Sequence, residues 1–244
     1  MIQVDDLFKS IEGQVILEGV SFDIKEGEIV VILGRSGTGK SVLLKHLIGL
    51  MKPDRGTITI DGADITHLPE RDLLNIRKKI GYLFQEGALY DFMDVFDNIA
   101  FPLKEHTSMT PAEIAGRVRE VLEMMDLKDV EEKMPSELSG GMKKRASLGR
   151  AIVLKPRILF CDEPTSGLDP LRSRDISDMI RRISRQLKCT TVITSHDIQN
   201  SFRVADRLML LDEGHIIIMG TRDEVKRSTI PYVQEFFGLL PAHQ

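Results

Sequence analysis

Apolar residues run unbroken from Ile29 to Leu33, polar and glycine residues fill positions 34–41, and Val42, Leu43 and Leu44 then open a helical spacing. That order predicts a buried strand, a tight loop and a helix. Upstream, apolar Val15, Ile16, Leu17, Val20, Phe22 and Ile24 are interleaved with polar neighbours and the pattern pauses at Glu26-Gly27-Glu28, which predicts an antiparallel β layer. Downstream of the first helix, Thr57 to Ile60, an Asp61-Gly62 turn and Ile80 to Phe84, ending at Gln85, read as further strands.

Residues 86–138 change character. Thr110-Pro111-Ala112-Glu113 is a capping box with proline at the first helical position, and Ile114, Val118, Val121, Leu122 and Met125 follow at helical spacing, so this stretch reads as a helical insertion. From 139 onward, helix (140–154), strand (Arg157 to Asp162), helix (171–187) and strand (Thr190 to Ser195) alternate, which argues for a mostly parallel sheet covered by helices. Residues 1–85 and 139–230 are expected to form the core, with 231–244 a short apolar helix and tail.

Composition narrows the class. The chain has 244 residues, 42% apolar and 29% charged, with a net charge of -4, which suits a globular protein and gives no overall basic surface for nucleic acid. Its apolar runs are about half the length that spans a bilayer, and Met1 to Asp6 lacks the basic-then-apolar pattern of a signal peptide, so a cytoplasmic location is expected. Cys161 and Cys189 fall in or beside apolar strands, where a small buried side chain is a better reading than a disulfide or metal ligand.

The candidate chemistry begins in the loop. Gly34, Gly37 and Gly39 let the backbone of Gly34, Arg35, Ser36, Gly37, Thr38, Gly39, Lys40 and Ser41 curl so that N–H groups and a helix N-terminus face an anion. Lys40 adds a positive charge for β- and γ-phosphates and Ser41 a hydroxyl for Mg²⁺, so ATP with Mg²⁺ is the expected ligand. Asp162 and Glu163 end an apolar strand: Asp162 suits the ion's water shell, and Glu163 suits a base that orients the attacking water. Standing alone, such a pair is more often a helix cap. Leu138-Ser139-Gly140-Gly141-Met142 opens the next helix and offers a second anion site, or simply a serine-capped helix.

Together these motifs resemble the nucleotide-binding subunit of ATP-binding cassette (ABC) transporters, and the resemblance covers nearly the whole chain. It implies an α/β fold with a P-loop NTPase core, a mostly parallel sheet, an N-terminal antiparallel β layer and a helical insertion. It also implies roles: Gly34 to Ser41 as Walker A, Gln85 as the glutamine reaching Mg²⁺, Ile158 to Asp162 as Walker B, and Glu163 as catalytic glutamate. Ser139, Gly140 and Gly141 would contact the nucleotide of a second copy in a head-to-tail dimer. Ser166-Gly167-Leu168-Asp169 match the D-loop, with Asp169 at the shared nucleotide, and His196 matches the switch histidine at the γ-phosphate. Phe8 is the candidate for stacking on adenine, with Phe22 nearby. Met142 stands where the family commonly has glutamine and cannot offer an amide hydrogen bond.

The segments 83–89, 94–107 and 134–142 further resemble the ATPase of Mla-type lipid transporters. That likeness implies a permease partner, MCE-type and small accessory subunits, a peripheral place on the inner membrane, and phospholipid or another hydrophobic solute as cargo. An ATPase of a polar amino-acid or other small-solute importer shares the same catalytic motifs. A DNA-repair ATPase would carry a long coiled coil or zinc-binding cysteine pairs, and neither occurs here. A translation-associated protein would carry two cassettes, and a scaffold without turnover would not need Glu163 and His196. Finally, six of the thirteen Phe and Tyr residues lie between 82 and 101. They suit either core packing or a groove for a partner helix.

Overall fold

The computed structural model describes residues 1–239. Its elements run β1 (Ile2–Ile11), β2 (Gln14–Ile24), β3 (Ile29–Leu33), α1 (Lys40–Leu47), β4 (Arg55–Ile60), β5 (Ala63–Asp64) and α2 (Glu70–Arg77). Next come β6 (Ile80–Leu83), α3 (Val95–His106), α4 (Pro111–Met124), a 3₁₀ turn (Pro135–Glu137) and α5 (Gly140–Ile152). The remainder is β7 (Ile158–Asp162), α6 (Pro170–Leu187), β8 (Thr190–Ser195), α7 (Ile198–Val204), β9 (Arg207–Asp212), β10 (His215–Thr221), α8 (Arg222–Lys226) and α9 (Pro231–Phe236). Two compact units result, one from residues 1–73 and 192 onward, the other from 74–191. The chain leaves the first unit within α2 and re-enters it within β8.

In the first unit, β1 pairs antiparallel with both β2 and β4, so Ile2 lies opposite Ile24 on one side and Ile60 on the other. Alternation buries Ile2 and Val4 while Gln3 and Asp5 face water, which is the expected antiparallel layer. β3 is buried along its whole length and pairs parallel with β9, with Leu33 beside Leu210. β9 returns through Glu213 and Gly214 into antiparallel β10.

In the second unit, β6 and β7 run parallel, Leu83 beside Cys161. Between them the chain forms helices, as expected from the insertion's periodicity. The Thr110 capping box is made: the Thr110 N–H donates to Glu113 Oε2 at 2.7 Å, and the Glu113 N–H donates to Thr110 Oγ1 at 3.4 Å. α3, α4 and α5 meet around Gly149, where an added Cβ would stand 3.0 Å from Val121, 3.3 Å from Met125 and 3.4 Å from Ile99. Buried Arg117 of α4 donates from Nε and Nη2 to the Val153 and Ile152 carbonyls at the end of α5, satisfying carbonyls that have no intrahelical partner.

Departures from the sequence reading have local causes. The apolar pattern assigns no element between 66 and 79, where α2 forms; it is a short helix of eight residues that buries one side chain, Leu73. The strand expected to run to Phe84 ends at Leu83, and Phe84 is exposed. The helix expected over 140–154 stops at Ile152. Of the tail, α9 is described, whereas 240–244 lie outside the described residues.

Candidate nucleotide site

The glycine-rich loop belongs to the first unit, and each of its glycines is there for its own reason. A Cβ on Gly34 would stand 2.3 Å from the Leu211 carbonyl oxygen of β9 and 2.7 Å from Thr38 Oγ1, so the loop can leave β3 only without a side chain there. Gly37 lies in open space but at φ +84°, and Gly39 combines φ +96° with the Ile16 carbonyl 3.0 Å from where its Cβ would be. Ile16 is itself an extra residue in β2: Val15 pairs with Ser10 and Leu17 with Lys9, so a bulge pushes Ile16 against the loop.

Lys40 opens α1 and is 6% exposed; its ammonium donates to the Gly34 and Arg35 carbonyls, both at 2.9 Å. Thr38 Oγ1 donates to the Arg35 carbonyl at 3.0 Å, closing the turn. No side chain caps α1 at Gly39, whereas Asp94, Thr110, Ser139, Asp169, Asp197 and Thr221 cap α3 to α8. An uncapped helix N-terminus of this kind can accept an anion. Arg35, Ser36 and Gly37 are exposed and Ser41 is half-buried.

Two more expected residues lie in this unit. His196 is exposed, directly after β8, and the next residue, Asp197, caps α7 while its N–H donates to Ser195 Oγ at 2.9 Å. Phe8, half-buried on β1, has the Arg55 guanidinium 3.9 Å above its ring centre, and Arg55 pairs with Asp6 at 2.8 Å. The β2 residues packed on Gly39 are Ile16 and Leu17, and Phe22 pairs with Val4.

The second unit holds the remaining candidates. Gln85 is exposed just beyond β6. Asp162 is buried at the end of β7, and Glu163 follows it at φ 44°, a left-handed backbone that glutamate rarely adopts. The Tyr82 hydroxyl donates to Asp162 Oδ2 at 3.4 Å. Burial, and then the Asp162 charge, push the Tyr82 phenol well above its ordinary pKa, so it stays a donor. Ser139 caps α5 by accepting the Met142 N–H at 3.4 Å, and Met142 lines a cavity of about 480 Å³ with Leu127, Arg145 and Arg172. Asp169 caps α6, accepting the Arg172 N–H at 3.0 Å and pairing with its guanidinium at 3.2 Å.

Lys144 and Tyr82 are neighbours that sequence reasoning misses. Within Met142-Lys143-Lys144-Arg145, Lys144 reads as one more solvated charge, yet it is buried and its ammonium donates to the Gln85 carbonyl. Burial pushes its pKa down, opposed by the Glu86 and Glu163 carboxylates. Both cysteines are free and buried, Cys161 with its thiol pushed far up by burial.

Comparison with known proteins accounts for this combination. The chain matches the ABC transporter family over residues 17–166. It is 46% identical over 237 residues to the Mycobacterium leprae protein named probable ribonucleotide transport ATP-binding protein mkl, covering 97% of this chain and 68% of the relative. The chain belongs to the ABC transporter family. It is an ATP-binding, ATP-hydrolysing subunit of that family. The cassette is also 38% identical to the Haemophilus influenzae intermembrane phospholipid transport system ATP-binding protein MlaF, over 97% of this chain and 89% of the relative. Among solved structures, a dimeric post-hydrolysis state of the ATP-binding cassette MJ0796 bound to ADP and Pi aligns with a TM-score of 0.83 at 30% identity, covering 91% of this chain and 99% of that one.

Because the Leu211 carbonyl fills the space beside Gly34, the Gly34→Ala cassette is expected to lose about 1–3 kcal/mol of stability and to bind ATP more weakly. Thermal melting and ATP titration check this together; parental values in both would show that β9 yields to a side chain.

Proposed function

We propose that this cassette powers a transporter for phospholipid or another hydrophobic solute, working as a head-to-tail pair peripheral to the inner membrane and bound to a permease. Its own nucleotide is received by Gly34 to Ser41, with Lys40 at the β- and γ-phosphates. Arg35, Ser36, Gly37, Thr38 and Gly39 contribute main-chain N–H groups. The donor types expected for Mg²⁺ suit it, since the Ser41 hydroxyl, the Gln85 amide and the Asp162 carboxylate each offer a hard oxygen. Among the described residues no group of three or more His, Cys, Asp or Glu could hold a metal, so phosphate and water would complete the shell. The ion would neutralise charge developing on the phosphates.

Glu163 is proposed as the base. Its carboxylate takes a proton from the attacking water as the water oxygen bonds to the γ-phosphorus; the β–γ bridging bond breaks, and ADP and phosphate leave. The observation supporting this role is the burial of Glu163 directly after Asp162, where the fully buried β7 ends. His196 would contact the γ-phosphate, Phe8 the adenine, and Ser139, Gly140, Gly141 and Asp169 the partner copy's nucleotide.

For the permease, the segment after Gln85 supplies a surface. Phe92 is 76% exposed, with Phe84 and Tyr90 also exposed, while Tyr82, Phe96 and Phe101 are partly buried. The aromatic cluster is thus divided between packing and surface, and the exposed members suit an apolar partner helix. No helix among the described residues is long and apolar enough to cross a membrane.

The likeness to MlaF over most of both chains supports a hydrophobic cargo. The name of the mycobacterial relative favours a second reading, an ATPase for a polar small solute.

In the purified cassette, Glu163→Gln is expected to bind ATP normally and lose about 10²-fold or more in turnover, since the amide cannot accept the proton. Near-parental hydrolysis would remove Glu163 from the role. For the cargo, the cassette assembled with its permease in vesicles is expected to move labelled phospholipid in an ATP-dependent way. Uptake of a labelled nucleotide or amino acid without lipid movement would support the second reading.

A further inference from the structure

The segment following β6 is fastened to α5 at successive points. The buried Lys144 ammonium donates to the Gln85 carbonyl, and Arg150 Nη2 donates to the Gly87 carbonyl at 3.2 Å. Between these, Gly87 lies so close to α5 that a Cβ would meet Ser147 Oγ at 2.7 Å, and the Arg150 guanidinium sits 5.3 Å from the Tyr90 ring centre. The far end is fixed to α3. Asn98, fully buried, accepts the Tyr90 N–H at 2.8 Å and donates to the Tyr90 and Met93 carbonyls at 3.1 and 2.9 Å.

These bonds have a cost that indicates their use. Burying an ammonium against a segment whose own backbone makes no regular ladder is unfavourable unless the charge is compensated. Lys144 is compensated by donating to the Gln85 carbonyl and by the fields of Glu86 and Glu163, so one buried cation both holds the main chain of Gln85 and answers nearby negative charge. A solvated lysine at the same helical position would do neither.

We infer that Lys144 is a positioning residue: it locks the residue 85–90 strap to α5 and thereby sets where Gln85 presents its amide. Arg150 is the second fastening of the same strap. The inference rests on the roles proposed for Gln85 and Glu163.

The test compares Lys144→Met, Lys144→Gln and Lys144→Arg in the full-length cassette. Lys144→Met is expected to lower kcat about 10-fold with KM for ATP within about two-fold, and Lys144→Arg to recover most of the loss, because a guanidinium can still reach the carbonyl. Amide hydrogen exchange over 85–90 should speed up in the Met variant and return towards parental rates in the Arg variant. Should the Met variant melt below assay temperature, Lys144→Gln serves in its place, with a smaller loss of kcat expected. A parental kcat, a loss seen only as raised KM, or no rescue by Arg would overturn the positioning role. Unchanged exchange over 85–90 would overturn the strap itself, and that readout needs no hydrolysis. It therefore stands apart from a failure of the Glu163 assignment, which Glu163→Gln turnover reports.

Discussion

The close approach between Gly34 and the Leu211 carbonyl is the constraint on which the first unit depends. It forces the chain to turn out of β3 with no side chain, against a β9 that runs parallel to β3 and carries Leu210 beside Leu33. From that fixed point the backbone curls through Gly37 and Gly39, and α1 starts with no side-chain cap. The bulge at Ile16 closes the loop from β2. What results is a helix end with no side-chain cap, its Lys40 held by the Gly34 and Arg35 carbonyls, in a loop whose course is set by packing.

The second unit solves a related problem with capped helices. Ser139 caps α5 and Asp169 caps α6, so these ends have side-chain partners of their own, and the Leu168 and Arg172 side chains approach Gly140 and Gly141. Asp162 and Glu163 emerge from the fully buried β7, with the Tyr82 hydroxyl on Asp162. Buried charge in this unit is accompanied by named partners: Arg117 on the last carbonyls of α5, and Lys144 on Gln85. Removing one partner of such a group exposes a desolvation cost that a surface pair would not.

Much of this was legible in the sequence. Strand, loop and helix around Gly34 to Ser41 follow from an apolar run, three glycines and a resumed helical period, and the capping box at Thr110 follows from four residues. The motif order identified the family because each motif obeys a separate chemical requirement. Legibility fails where a residue's meaning depends on what packs against it. Lys144 looks like its neighbours Lys143 and Arg145 until burial singles it out, and Phe8 looks like an available ring until Arg55 lies over it. The left-handed backbone at Glu163 leaves no trace in the residue type, and α2 is a short helix that buries one side chain.

We propose that one cassette holds two anion sites serving different nucleotides, its own at α1 and a second copy's at α5. Sedimentation of parent and Ser139→Arg chains with a slowly hydrolysed ATP analogue, alongside analogue binding to each, tests it most directly. The account predicts that both chains bind the analogue with affinities within about two-fold while only the parent shifts to a dimer, because the bulky cation blocks the second site alone. Equal dimerisation of the two chains, or loss of analogue binding by Ser139→Arg as a monomer, would contradict it.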